Sequence, residues 1–328
     1  MIRADRGSVL VATERQMVRA KPSTRLLKSA SGPLDLPGTG DWVALLAPED
    51  LDVPLVEAVL DRMSAIVRGD PAGTSEVQVL AANVDVVFVV DPIAEPPNLR
   101  RIERELSVAW ESGARPVVVL TKADLSADVE TAHRQVQEVA LGVDVVVTSA
   151  VAGEGIEPLL DFTGEHRTAV LIGPSGAGKS TLVNALLGEN RQATREVRVN
   201  DGRGRHTTVV REVIPIGDGV LIDTPGLRAL GLTGSEDGIA SAFPDVEQLA
   251  QSCRFRDCRH VDEPGCAVLS AVESGALSPD RLDSFHKLMR ETQVIAAKTD
   301  ARLRADEERK AKSISKAAKE YFQRFGRH

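Results

Sequence analysis

Gly173-Pro174-Ser175-Gly176-Ala177-Gly178-Lys179-Ser180 is a complete G-x-x-x-x-G-K-[ST] loop, set deep inside a chain of 328 residues. A nucleotide's phosphates carry several negative charges. Backbone N–H groups must converge on them, and glycines let the chain wrap that closely. In such a loop Lys179 reaches the β- and γ-phosphates, and the Ser180 hydroxyl ligates Mg²⁺. The flanks fit. Thr168-Ala169-Val170-Leu171-Ile172 reads as a buried strand, and Thr181-Leu182-Val183-Asn184-Ala185-Leu186-Leu187 reads as a helix. A chance glycine-rich turn needs neither.

Upstream, Val84 to Asp91, Pro116 to Leu120 and Val143 to Val147 are near-continuous apolar runs, as strands buried on both faces require. Helical stretches, Arg100 to Glu111 and Asp128 to Ala140, separate them, and Val220-Leu221-Ile222 adds a strand downstream. The alternation predicts a doubly wound α/β domain. Before it, short apolar bursts (Ser8 to Val11, Asp41 to Leu46) alternate with Gly/Pro punctuation. That texture predicts a small β-barrel, and propensity leaves an OB-fold and an SH3-like barrel equally open. After Gly234 the strands stop, and Ser278-Pro279-Asp280 opens a long helix. The expected domains are a β-barrel at 1–75, the α/β domain at 76–235 and a mainly helical domain at 236–328.

Four further motifs complete the loop. Asp223-Thr224-Pro225-Gly226 matches D-x-x-G, in which Asp223 holds Mg²⁺ through water and the Gly226 N–H senses the γ-phosphate. In Thr121-Lys122-Ala123-Asp124, the Asp124 carboxylate can accept the ring N–H and the exocyclic amino proton of guanine. Adenine offers no such pair, so the motif selects GTP over ATP, with Lys122 along the base. Ser149 and Ala150 in Thr148-Ser149-Ala150 can give backbone N–H groups to guanine O6. Within Gly204-Arg205-His206-Thr207-Thr208, Thr207 or Thr208 can complete the Mg²⁺ shell, and His206 is a catalytic candidate. The nucleotide-binding set is therefore Thr121, Lys122, Asp124, Ser149, Ala150, Gly173 to Thr181, Asp223 and Gly226.

The order of these motifs is permuted: base-reading segments precede the phosphate loop, whereas an ordinary GTPase begins with it. A permutation is tolerated because domain termini usually lie close together. It also sends the chain from D-x-x-G straight into the C-terminal domain, so loss of a γ-phosphate can act on that domain.

With G-R-H-T-T, D-T-P-G-L and the phosphate loop in this order, followed by a cysteine cluster, the chain resembles the circularly permuted, small-ribosomal-subunit-dependent GTPases of the RsgA/YjeQ type over nearly its whole length. The resemblance implies an N-terminal OB-fold, a permuted GTPase core, a C-terminal zinc domain and a role in late maturation of the small (30S) subunit. It implies small-subunit rRNA, GTP and GDP as partners.

All three cysteines fall between Cys253 and Cys266. Cys253, Cys258, His260 and Cys266 make a closed four-ligand set suited to structural Zn²⁺, one per chain. The net charge of −8 excludes a simple polycation, but the tail carries Arg309, Lys310, Lys312, Lys316, Lys319, Arg324 and Arg327 against Glu320 alone, which leaves a polyanionic partner and a solvated helical tail equally open. The chain begins almost at its first strand, so RNA contacts are expected from the barrel face and the C-terminal helices. Neither a signal peptide nor a membrane span is legible, and a cytoplasmic monomer is expected.

Leu227 stands where many GTPases place a water-orienting Gln, so slow intrinsic turnover with stimulation by the small subunit is expected. Gly176 stands where potassium-dependent GTPases often carry Asn, so potassium activation is not expected. Thr121 replaces the more common Asn of N-K-x-D, and a weaker brace on that loop is expected. The alternative reading is a nucleotide-gated module for another RNA with vestigial hydrolysis.

Overall fold

The computed structural model describes residues 1–5, 7–47, 53–68, 78–188, 212–223, 232 and 235–297. His206, Thr207, Thr208, Gly226, Leu227 and the basic tail lie outside them.

The first five strands are β1 (Arg3–Asp5), β2 (Ser8–Ala12), β3 (Met17–Pro22), β4 (Val43–Leu46) and β5 (Leu55–Val59), with helix α1 (Thr24–Ser29) between β3 and β4. They form one sheet in the order β1-β2-β3-β5-β4, with β3 and β5 parallel and the other pairs antiparallel. Alternate residues point inward: Val9 and Val11, Ala20 and Val56 pack with Leu26 of α1. The Ser23 hydroxyl caps α1 by accepting the Leu26 N–H at 3.1 Å. The Gly40 N–H donates to Met1 O at 3.0 Å, which draws the start of β1 towards the residues that enter β4. This partly closed five-stranded sheet is the OB-like arrangement.

Two more strands, β6 (Ala65–Arg68) and β7 (Gln78–Ala82), pair with each other. Ile66, Leu80 and Ala81 on them join the large core of the α/β domain rather than the barrel core. A division at 75/76 therefore runs between two paired strands. The Arg62 guanidinium clamps the joint. It donates to both Asp41 carboxylate oxygens at 2.7 Å each and to Leu36 O at 3.0 Å, and Asp41 is fully buried. At Gly40, where φ is +94°, a Cβ would stand 2.2 Å from Ala82 O and 2.9 Å from Ile222 Cδ1. The barrel loop thus abuts the residue before Asp223, and only glycine fits there.

The central sheet has six strands: β8 (Val86–Pro92), β9 (Arg115–Thr121), β10 (Asp144–Val147), β11 (Thr168–Ile172), β12 (Glu212–Ile216) and β13 (Gly219–Asp223). Their order is β10-β9-β8-β11-β13-β12, parallel except for the edge strand β12. Helices α2 (Leu99–Glu111) and α3 (Val129–Val139) cover one face, and α4 (Glu157–Thr163) and α5 (Lys179–Leu187) the other. The alternation along β8 shows the layering: Val87 and Val89 pack with α2 and α3, while Val86, Phe88 and Val90 pack with α4 and α5. Strand order runs one way from β8 through β9 to β10, then resumes on the other side of β8 with β11. That reversal is the topological switch point at which open α/β sheets bind ligands.

Helices α6 (Asp237–Ala242), α7 (Pro244–Ala250), α8 (Ala267–Glu273) and α9 (residues 279–297) complete the described chain. Phe243, Val246, Val268, Phe285 and Leu288 share one core with Ile102 and Leu106 of α2, so these helices are docked on the α/β domain. The approach is close: at Gly238 of α6 a Cβ would stand 2.3 Å from Ser107 O. No described helix is long and apolar enough to cross a membrane.

Candidate nucleotide and metal sites

The parallel strands β9, β10, β11 and β13 end at one edge of the sheet, and the motifs ride on those ends. Thr121 closes β9, Thr148 to Ala150 follow β10, Gly173 follows β11 and Asp223 closes β13. The phosphate loop's glycines are needed individually. Gly173 has φ +139°, and a Cβ there would stand 2.3 Å from Val90 O. Gly176 and Gly178 have φ of +83° and +88°, the left-handed region that frees successive N–H groups to point one way. Between them Ala177 is buried, while Ser175 and Ser180 are exposed. Lys179 Nζ donates to Gly173 O and Pro174 O, both at 2.7 Å, so its ammonium arches over the loop. Ser180 and Thr181 lie in the first turn of α5, whose positive end faces the loop.

The base-reading motifs meet one another. Ser149 Oγ donates to Asp124 Oδ1 at 2.6 Å, and the Ala123 N–H donates to Thr148 O at 3.1 Å. Asp124 is exposed, and Lys122 has φ +61°, a conformation that turns the chain sharply out of β9. Thr121 makes a brace of its own. Its Oγ1 donates to Ala177 O at 2.6 Å, joining the base-reading strand directly to the phosphate loop.

Three charged residues that the sequence did not single out lie under this loop. Asp91, at the end of β8, is fully buried and ion-pairs with Arg101 of α2. Burial outweighs Arg101 and holds the Asp91 carboxyl above its ordinary value. One turn along α2, burial pushes Glu105 up to about 7 despite Arg101, Lys179 and Arg104 nearby, and Asp91 adds to the rise. Asp91 Oδ2, Arg101 Nε and Glu105 Oε2 are buried without a hydrogen-bond partner among the described residues. Their spacing at 101 and 105 gave a weak signal, since i,i+4 charges on a helix usually face solvent.

The metal cluster is separate. The ligand atoms of Cys253, Cys258, His260 and Cys266 all lie within 4.8 Å of one another. Cys253 Sγ lies 3.9 Å from Cys266 Sγ, and His260 Nδ1 lies 3.4 Å from Cys266 Sγ and 3.7 Å from Cys253 Sγ. Four donors at about 2.3 Å around a tetrahedral ion have edges of about 3.8 Å, so the set fits such an ion and is far too open for a disulfide. Desolvation and the flanking sulfurs push the Cys258 thiol up to about 12, and a bound cation is what ionises such a set. Burial, with His286 nearby, lowers the His260 pKa, which favours the neutral imidazole that ligates metal. The loop is organised by Glu263, whose carboxylate accepts the N–H groups of Arg259 at 2.9 Å and Val261 at 3.0 Å and is lowered to about 2 by them. The cluster can hold a metal ion.

With this geometry in view, comparison with known proteins is direct. The family model described as "RsgA GTPase" matches residues 59–233. The chain belongs to the RsgA GTPase family. A second model, "50S ribosome-binding GTPase", matches residues 168–322. A Streptomyces avermitilis protein named "Small ribosomal subunit biogenesis GTPase RsgA" is 49% identical over 310 residues, 93% of this chain and 82% of that protein. A Streptomyces coelicolor protein of the same name is 48% identical over 328 residues, covering 98% of this chain and 88% of that protein. The crystal structure of YjeQ from Thermotoga maritima aligns at 27% identity with a TM-score of 0.64, covering 87% of this chain and 94% of that one. The structure of YloQ, described as a circularly permuted GTPase, aligns at 25% identity with a TM-score of 0.62, covering 89% of this chain and 93% of that one. The permuted motif order and the α/β core are thus family features, and this chain is a GTPase.

Proposed function

We propose that the chain is a monomeric cytoplasmic GTPase that binds the small ribosomal subunit in its GTP form, assists late maturation and leaves after hydrolysis. The full-length relatives carry this reading, because they span barrel, GTPase core and C-terminal helices alike. The model that names the large subunit matches only from residue 168 onward, without the barrel. Guanine recognition is supported by the Ser149–Asp124 hydrogen bond, which fixes the carboxylate at the end of β9. Lys179 would turn from the loop carbonyls to the phosphates, and the loop N–H groups would hold their charge. Mg²⁺, held by Ser180, Asp223 and one of Thr207 or Thr208, would supply further neutralisation of phosphate charge. The donor set and its spacing support Zn²⁺ as the ion of the cysteine cluster, in a structural role, since three thiolates and one imidazole leave no open position. The barrel and the C-terminal region would meet rRNA mainly through its phosphates.

GTP hydrolysis by the purified protein alone, with small subunits and with large subunits tests the reading. Stimulation by small subunits only is expected. Stimulation by large subunits only overturns the partner, and no stimulation by either favours a nucleotide-gated RNA-binding module. Asp124→Asn is expected to weaken GTP binding and shift preference towards xanthine nucleotides; unchanged selectivity removes Asp124 from the base site.

A further inference from the structure

The barrel meets the magnesium side of the nucleotide site at a single rung of the central sheet. Strands β12 and β13 pair so that Glu212 stands opposite Asp223 and Val213 opposite Ile222. Asp223 opens D-T-P-G, and Glu212 follows the threonines of G-R-H-T-T in sequence. The Val213–Ile222 rung is thus the first one behind the Asp223 end, and the barrel touches both of its residues. At the sheet edge, the Val213 N–H donates to Ile2 O at 3.2 Å. Pro215, at the next outward position of β12, has no N–H to offer, so the barrel takes the outward N–H nearer to Asp223. From the face, Gly40 packs so closely that a Cβ there would stand 2.9 Å from Ile222 Cδ1, and Ile222 is fully buried. The two barrel pieces are tied to each other, since the Gly40 N–H donates to Met1 O at 3.0 Å. The loop around Gly40 is braced as well. Asp41 accepts the Gly38 N–H at 2.6 Å beside the Arg62 fork, and Asn83 Nδ2 donates to Gly40 O at 3.2 Å.

We propose that Gly40 and Ile222 are positioning residues for Asp223: the barrel holds the Val213–Ile222 rung, and the rung sets where the Asp223 carboxylate meets the Mg²⁺ that accompanies the nucleotide. The inference rests on the reading of Asp223 as the Mg²⁺-side carboxylate. Its physical basis is placement. A site residue must be held to within about 0.5 Å of its working position by the packing behind it. Asp223 is the last residue of β13, so the rung behind it is what anchors its backbone. A close-packed contact such as Gly40 on Ile222 transmits a displacement instead of absorbing it. The barrel is then part of the GTPase site as well as a surface for RNA. An event on the barrel and a change at the nucleotide bias each other by the same factor, because coupling between sites is reciprocal.

The affinity of the full chain for a non-hydrolysable GTP analogue, measured with Mg²⁺ and with a chelator, gives the Mg²⁺-dependent gain apart from turnover. Ile222→Val deletes the Cδ1 methyl that faces Gly40. Arg62→Gln releases the loop from the barrel side, since the guanidinium bonds only to Asp41, Leu34 O and Leu36 O among the described residues. Each variant should cut the Mg²⁺-dependent gain about three- to tenfold and leave the Mg²⁺-free affinity as in wild type. Ile102→Val makes the same deletion in α2, within the same buried cluster, and should keep the full gain. Thermal unfolding checks each fold, and if Arg62→Gln does not fold, Ile222→Val decides alone. A wild-type gain in Ile222→Val, or an equal loss in Ile102→Val, overturns the positioning role. Asp223→Asn should remove most of the gain. A full gain in that variant overturns the Mg²⁺ reading of Asp223 and this inference with it.

Discussion

Helix α2 has two charged faces, and they are built to opposite standards. Towards the C-terminal helices, Glu103 accepts from Arg281 at 2.8 Å with both side chains almost fully buried. The same guanidinium bridges Asp245 of α7 at 2.9 and 3.1 Å, donates to Ala242 O at 2.8 Å and lies 4.1 Å from the centre of the Phe243 ring. Arg104 forks onto Glu291 of α9. Towards the phosphate loop, two residues away, Asp91, Arg101 and Glu105 leave buried polar atoms unpaired. A face that only holds domains together satisfies every charge it buries, since an orphaned buried ion is costly.

The sharpest break in the comparison is Lys179→Ala. Removing the ammonium from the loop should abolish GTP turnover, because the phosphates lose their counter-charge, while thermal stability stays close to wild type. Turnover near the wild-type rate would remove the loop from the chemistry.

Arg281→Ala tests the satisfied face. It leaves Glu103 buried and unpaired, and a loss of about 3–5 kcal/mol in unfolding free energy is expected from denaturant titration. A loss below about 1 kcal/mol would mean that the α2–α9 interface opens to water.

Elemental analysis of the wild type should find about one metal ion per chain, and a Cys258→Ser variant should lose most of it and loosen the C-terminal helices while nucleotide binding persists. A metal-free wild type that is fully folded would refute the cluster as a metal site.

The smallest effects are diagnostic. The Glu105 pKa is raised on folding, so the unfolded chain ionises first as pH rises. Stability conferred at low pH is therefore lost between about 4.5 and about 7. Glu105→Gln should flatten that slope, and an unchanged slope would place Glu105 in water. Arg104→Ala, at a pair about one-third exposed, should cost about 1 kcal/mol or less.

The sequence by itself determined the chemistry and the order of the parts. The G-x-x-x-x-G-K-S loop, T-K-x-D and D-x-x-G are local patterns whose residue types follow from the phosphate or base they must meet. The strands that carry them are apolar runs legible without neighbours: β11 spans the same residues as the run Thr168 to Ile172. The four metal ligands were legible because they lie within fourteen consecutive residues, Cys253 to Cys266. What is built from distant pieces was not. The β6–β7 pair joins the α/β core because Ile66 and Leu80 share one buried cluster with Ile102 and Leu106 of α2, a preference that no local period records. Thr121 braces Ala177 across 56 residues of chain, and Arg281 finds Glu103 across 178. Glu105 reads in sequence as one more charge on a helix surface. Burial beside Asp91 and Lys179 sets its proton affinity, and only the tertiary structure brings those groups together, because desolvation and Coulomb energy depend on distance in space and not along the chain.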